Sequence, residues 1–137
     1  GPPPAAALGA TDQHSELQLY LEGPKDKLIT FIKVNKFETE IDVPADFSDF
    51  EEISYFQNKK LSKLNHAELE ATAKALKKSD RAYNIISIPK TNPESLGALF
   101  MFYELACAYM GELLQINAHN QPGVQLEKKA AKLILSK

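Results

Sequence analysis

Only one cysteine, Cys107, occurs in the 137 residues. A lone thiol forms no internal disulfide, and nothing in the chain signals an oxidising compartment, so the cytoplasm is the expected location. Set in a very apolar segment, Cys107 reads as a small buried hydrophobe before it reads as a reactive thiol. No block of basic residues stands out: 18 acidic and 16 basic side chains leave a net charge of −2. That excludes the broad cationic footprint of a nucleic-acid-binding protein, yet allows a small anion held by one or two local cations. The most apolar stretch, residues 96–111, is broken only by Glu104. A membrane span needs about 20 apolar residues, so a buried helix is expected there and no membrane partner. The three histidines show no i,i+4 or Cys/His pairing, so no metal site is expected. Glycine-rich phosphate loops and nucleophile elbows are lacking too, and no cofactor is implied.

What is present is a globular composition, 44% hydrophobic and 25% charged, at the length of one ordinary domain. Residues 1–8 open with a Pro/Ala run that has no apolar period, basic n-region or h-region. They read as a linker or expression remnant, not a signal peptide. Thr11-Asp12 resembles a helix N-cap with an acidic first turn, predicting a helix over 13–21 that Glu22-Gly23-Pro24 stops. Residues 28–34, rich in β-branched and aromatic side chains, predict a mostly buried strand. Residues 37–43 alternate apolar and polar, which fits a short edge strand or an extended loop. Residues 46–56 fit an irregular or short helical piece.

Residues 61–78 predict an amphipathic helix, with Leu61, Leu64, Leu69, Ala73 and Leu76 near one face. A second buried strand follows at 83–88, closed by Pro89. Asn92-Pro93 opens the apolar helix, expected to reach residue 116, and Pro122 opens a last helix capped by Asn120 or Gln121. The order helix, strand, helix, strand, helix, helix is that of an α/β fold: a partial parallel sheet flanked by helices. Two strands are too few to cover so apolar a helix as 94–116, which points to a piece of a larger parallel sheet.

The densest chemical signal is Asn117-Ala-His-Asn-Gln-Pro-Gly-Val-Gln-Leu-Glu-Lys128. Gln121 and Lys128 stand seven residues apart, nearly two helical turns, on one face and about 10 Å apart along the axis. That spacing suits gripping two parts of a sugar-sized molecule, and a helix N-terminus adds free N–H groups and positive potential. On local sequence alone, a capped surface helix with an exposed lysine explains the pattern better. His14, in Gly9-Ala-Thr-Asp-Gln-His14, opens a helix, and an imidazole there can pass a proton between oxygens; a surface or capping histidine is the ordinary alternative. His66 falls on the polar flank of its helix, where a solvated role is expected. His119 either lines the Gln121 pocket or is a loop residue.

Taken together, these segments resemble the phosphoglucose isomerase family, at the C-terminal part of its bacterial branch. Gly9-Ala-Thr-Asp-Gln-His-Ser15 with Gln18-Leu-Tyr-Leu-Glu-Gly-Pro24 is similar to the family's histidine segment. The stretch from Leu96-Gly97 to Asn117 is similar to its long buried helix, and Gln121-Pro-Gly-Val124 with Lys128 to its lysine signature. The resemblance runs from about residue 8 onward and implies that 9–137 form the C-terminal part of a sugar-isomerase-type (SIS) α/β domain. It implies a reversible aldose–ketose isomerisation of glucose 6-phosphate and fructose 6-phosphate, in glycolysis and gluconeogenesis, without metal. His14 would open the sugar ring by proton exchange, Lys128 would sit by the ring oxygen and steady developing charge, and Gln121 would hold the substrate. The family's site is assembled in a homodimer, with the histidine supplied across the interface.

The resemblance also implies what this stretch leaves to an N-terminal portion: the general-base glutamate, the Ser/Thr phosphate loop and the enediolate-stabilising arginine. Arg81, the sole arginine, does not match that last position. Ala118-His119-Asn120 stands where the family has Pro-Phe-Asp, Gln125 where it has Glu, and Glu127 where a small residue is common. The expected reading is an isomerase fragment that is inactive alone. The alternative is a non-catalytic sugar-phosphate-binding or dimerisation module.

Overall fold

The computed structural model describes residues 4–46 and 50–136. The chain divides into two compact units, Gly1–Thr91 and Asn92–Lys137. Part of the segment expected to be irregular, 47–49, lies outside the described residues.

In the first unit, α1 (Gly9–Glu22) leads to β1 (Ile29–Lys36), a 3-10 turn (Glu51–Phe56), α2 (Leu61–Lys78) and β2 (Tyr83–Lys90). The strands pair in parallel, from Ile29 opposite Tyr83 to Lys36 opposite Lys90. Parallel neighbours need a long crossover, and α2 supplies it, so the unit is a β–α–β motif preceded by a helix. The expected α/β class is therefore observed.

α2 forms as its periodicity predicts, and its apolar stripe faces inward at Thr72, Ala73 and Leu76. Leu76 is the one large side chain wholly enclosed among the described residues, at 0% exposure. Asp80, with φ of 51°, turns the chain out of α2, and the Arg81 N–H donates to the Leu76 carbonyl at 2.9 Å. This left-handed closure caps the helix without a glycine.

Several boundaries differ from expectation for physical reasons. α1 starts four residues before the predicted 13, because Asp12 is not the cap. Its Oδ2 instead accepts from the Leu8 N–H at 2.6 Å, closing the first turn from inside. The stop at Gly23 is as predicted, and a Cβ there would lie 2.4 Å from the Leu19 carbonyl oxygen. β2 does not end at Pro89 but runs through it to Lys90. The ladder skips the Asn35–Pro89 step and resumes at Lys36–Lys90, so the missing N–H costs only one rung. Residues 37–43 take the loop alternative, with a single antiparallel bridge from Asp42 to Lys60.

In the second unit, α3 (Pro93–Leu113) is followed by α4 (Pro122–Leu135). Asn92 caps α3 by accepting from the Ser95 N–H at 2.9 Å. α3 stops three residues before the expected 116, where Gln115 turns left-handed at φ of 55°. α3 is not a buried helix within its unit: Gly111 is its only buried residue, and Phe100 and Tyr109 are 59% and 67% exposed. Cys107 is likewise exposed rather than buried. With 21 residues, α3 is long and apolar enough to cross a membrane by length and composition alone. Its three glutamates, Glu94, Glu104 and Glu112, are what composition sets against that role.

Leu76→Ala is expected to cost about 2–5 kcal/mol, since a fully enclosed leucine loses both transfer energy and packing. Leu76→Met, which conserves volume, should cost less than about 1.5 kcal/mol. Urea unfolding midpoints of the two variants against the parent check both values.

Candidate functional site

The expected site residues fall in both units. His14 is in the first; Gln121 and Lys128 are in the second. His14 lies on α1, exposed, in the second turn rather than at the helix start, because α1 begins at Gly9. It therefore projects from inside the helix, beyond the unpaired N–H groups of its first turn.

Gln121 is the N-cap of α4, which settles the choice between it and Asn120. Its side chain makes no capping bond, so the amide is free to meet a ligand. Pro122 occupies the first helical position, where a missing N–H costs nothing. Lys128 follows just under two turns later. Both side chains are exposed, and neither bonds to a described residue. The first turn of α4 carries no acid, so its positive end is uncompensated and suits an anionic or electron-rich group.

The loop before α4 is built by two devices that sequence reasoning did not find. First, α3 ends in a turn that brings the Ile116 N–H to the Gly111 carbonyl at 2.9 Å. A Cβ on Gly111 would stand 2.7 Å from Ala118 Cβ and 3.1 Å from the Ile116 oxygen. Glycine is what lets this loop lie against α3. Second, the Asn117 Oδ1 accepts from the His119 N–H at 2.9 Å, an Asx turn that directs the chain toward Gln121. His119 itself is exposed, in the loop. A glycine near a helix end beside a small residue seven positions on was the available signal.

His66 departs from its expected solvated role. Its Nε2 lies 2.8 Å from the Val34 carbonyl oxygen, and its ring is 5.7 Å from that of Phe37. It ties α2 to the end of β1, because the polar flank of α2 turns toward the strand there. Arg81 also proves structural: Nε donates to the Leu21 carbonyl at 3.0 Å, and Nη2 bonds to the same oxygen. Beside it, Lys25 pairs with Asp80 at 2.8 Å. The Lys25 hydrogen bond, then its charge, holds the Asp80 carboxyl below the usual carboxylate range. A depressed carboxyl stabilises the fold above its unfolded value, and that contribution is lost as the pH falls through the folded one.

Among the described residues of the first unit lie concavities of about 200 Å³ beside Arg81 and about 240 Å³ between Val43 and Leu64. Neither contains His14. Among the described residues no group of three or more His, Cys, Asp or Glu side chains is placed to hold a metal.

This geometry defines an α/β protein presenting a histidine on one unit and a Gln/Lys helix terminus on the other. The sequence model of the family described as phosphoglucose isomerase matches residues 7–137, and the chain belongs to that family. It is 42% identical to the glucose-6-phosphate isomerase of Carboxydothermus hydrogenoformans, over all of this chain and 30% of that protein. It is 39% identical to the probable glucose-6-phosphate isomerase of Methanococcus maripaludis, over 96% of this chain and 29% of that one. A crystal structure of hypothetical protein TT0462 from Thermus thermophilus superposes with a TM-score of 0.80 at 34% identity. The match covers 96% of this chain and 31% of the Thermus one. The chain thus spans about 30% of the length of these relatives.

Gly111→Ala tests the loop. A gain of up to about 1 kcal/mol in helix propensity is outweighed by overpacking against Ala118, which costs about 1–3 kcal/mol. The variant should unfold at lower urea, and Gly111→Ala combined with Ala118→Gly should recover most of the loss.

Proposed function

We propose that this chain is the C-terminal part of a glucose-6-phosphate isomerase, which interconverts glucose 6-phosphate and fructose 6-phosphate. The observation that carries the reading is the ordered pair of motifs, His14 with its following segment and Gln121-Pro-Gly with Lys128, within a family match reaching from residue 7 to 137. Residues 9–137 are assigned to the C-terminal sugar-isomerase (SIS) domain, and 1–8 to a linker.

In this reading His14 exchanges a proton with the sugar ring oxygen and opens the ring. An exposed imidazole on a regular helix suits that step, since it must meet a substrate held mainly by other elements. Lys128 places a cation beside the ring oxygen and hydroxyls as charge develops. Gln121, with its amide unengaged and the α4 N-terminus beneath it, holds hydroxyl groups of the sugar. The carbon-bound proton moves to a glutamate elsewhere in the whole protein, where the phosphate loop and the enediolate arginine also reside. The active form is a cytoplasmic homodimer in which His14 serves the partner's site.

A second reading, a dimerisation element, has one observation in its favour: the exposed apolar surface of α3 at Phe100, Phe102 and Tyr109. In the first reading the remainder of a larger parallel sheet, and not only a second copy, covers that surface.

Purified chain should show no turnover of fructose 6-phosphate, and activity should require the N-terminal portion; robust turnover by the chain alone would sink the assignment of the base. In the complete protein, Lys128→Ala is expected to lower kcat about 100-fold or more with the dimer intact, the scale of losing one oxyanion-type donor. Loss of assembly with the remaining activity per dimer unchanged would instead favour the dimerisation element. Coupled spectrophotometric assay and analytical ultracentrifugation of the same preparations separate the two.

A further inference from the structure

The helix that carries His14 packs on α2 without fully burying a side chain. α1 buries none of its residues and has no side-chain N-cap. Its last turn contains no basic residue, and Glu22 there has the wrong sign for a helix C-terminus. The last-turn carbonyls of any helix also lack intrahelical donors.

Arg81 answers both deficits from another element. Its guanidinium brings positive charge to the C-terminal end of α1 and donates twice to the Leu21 carbonyl, through Nε at 3.0 Å and Nη2. Its backbone is fixed on both sides: left-handed Asp80 and the bond to the Leu76 carbonyl precede it, and the β2 ladder begins two residues later. Lys25, just past α1, pairs with Asp80 at 2.8 Å, so a second bond ties the same end of the helix to the same loop. Among the described residues Arg81 Nη1 is enclosed without a partner, which raises the cost of holding the guanidinium there and makes the two bonds to the Leu21 carbonyl its compensation.

We propose that Arg81 is a positioning residue for His14, clamping α1 by its C-terminal carbonyl so that the imidazole is held in register with the sugar ring. This rests on the ring-opening role given to His14 above. The lever arm makes the clamp matter. His14 and Leu21 are seven residues apart, about 10 Å along a helix that moves as a rod, so a tilt of about 6° at the clamped end moves the imidazole by about 1 Å. A displacement of that size can cost about 100-fold in rate.

The test uses the full-length protein and a double-mutant cycle. Arg81→Met keeps length and removes every donor. It should lower kcat by about 10- to 100-fold, with KM for fructose 6-phosphate within about twofold, because Gln121 and Lys128 are untouched. Arg81→Lys, which keeps one charged donor, should recover part of the loss. In a His14→Ala background, Arg81→Met should change kcat by less than about twofold, since the residue it positions is gone.

Arg81→Met with full activity, or with a loss that adds in full to that of His14→Ala, overturns the clamp while leaving the histidine assignment standing. Full activity of His14→Ala alone overturns that assignment and the clamp together. Should Arg81→Met fail to fold, Arg81→Lys carries the same cycle: its smaller loss must vanish in the His14→Ala background, and a persisting loss overturns the inference.

Discussion

The parallel pairing of β1 with β2 is the constraint on which the first unit depends. Parallel strands cannot be joined by a hairpin, so the chain must return across the sheet before β2 begins. α2 makes that return and in doing so buries Leu76 and Ala73. The same pairing sets the strand ends. Ile29 and Tyr83 start together, beside the two loops that hold Lys25 and Arg81, while Lys36 and Lys90 finish together at the other end of the sheet. In open α/β sheets ligands bind outside the carboxyl ends of strands, which is where the 37–60 excursion leaves β1.

That pairing is also incomplete in energetic terms. Parallel sheets are covered on both faces, yet Ile32 and Ile85 remain 48% and 43% exposed. In the second unit α3 shows the same imbalance, with an apolar surface on nearly every side and one buried residue. A two-stranded sheet is marginal in water by itself.

The elements are largely legible in the sequence, and the exceptions share a cause. α2 is legible to the residue because its apolar period is long and its interior holds no breaker. The start of α1 is not, because Asp12 can cap from outside a helix or brace from inside one, and only the position of Leu8 decides. The end of α3 is hidden because Gln115 adopts a left-handed conformation that favours glycine, and nothing in a glutamine announces it. Periodicity assigns His66 to water because it describes one helix, not the strand end that the helix flank meets.

The site divides along the same line. The types and order of the candidate site residues, His14, then Gln121 with Lys128, are properties of the sequence, since local motifs carry them. So are the α/β class and the helix that brackets Gln121 with Pro122, because period and proline act over a few neighbouring residues. What tertiary structure alone decided are the contacts between residues far apart in the chain. Arg81 reaches Leu21 across 60 positions and His66 reaches Val34 across 32. Even Gly111 and Ala118, seven positions apart, meet only because the loop after α3 folds back against the helix. Hydrogen bonds and close packing depend on where two segments meet in space, and no local pattern encodes that meeting.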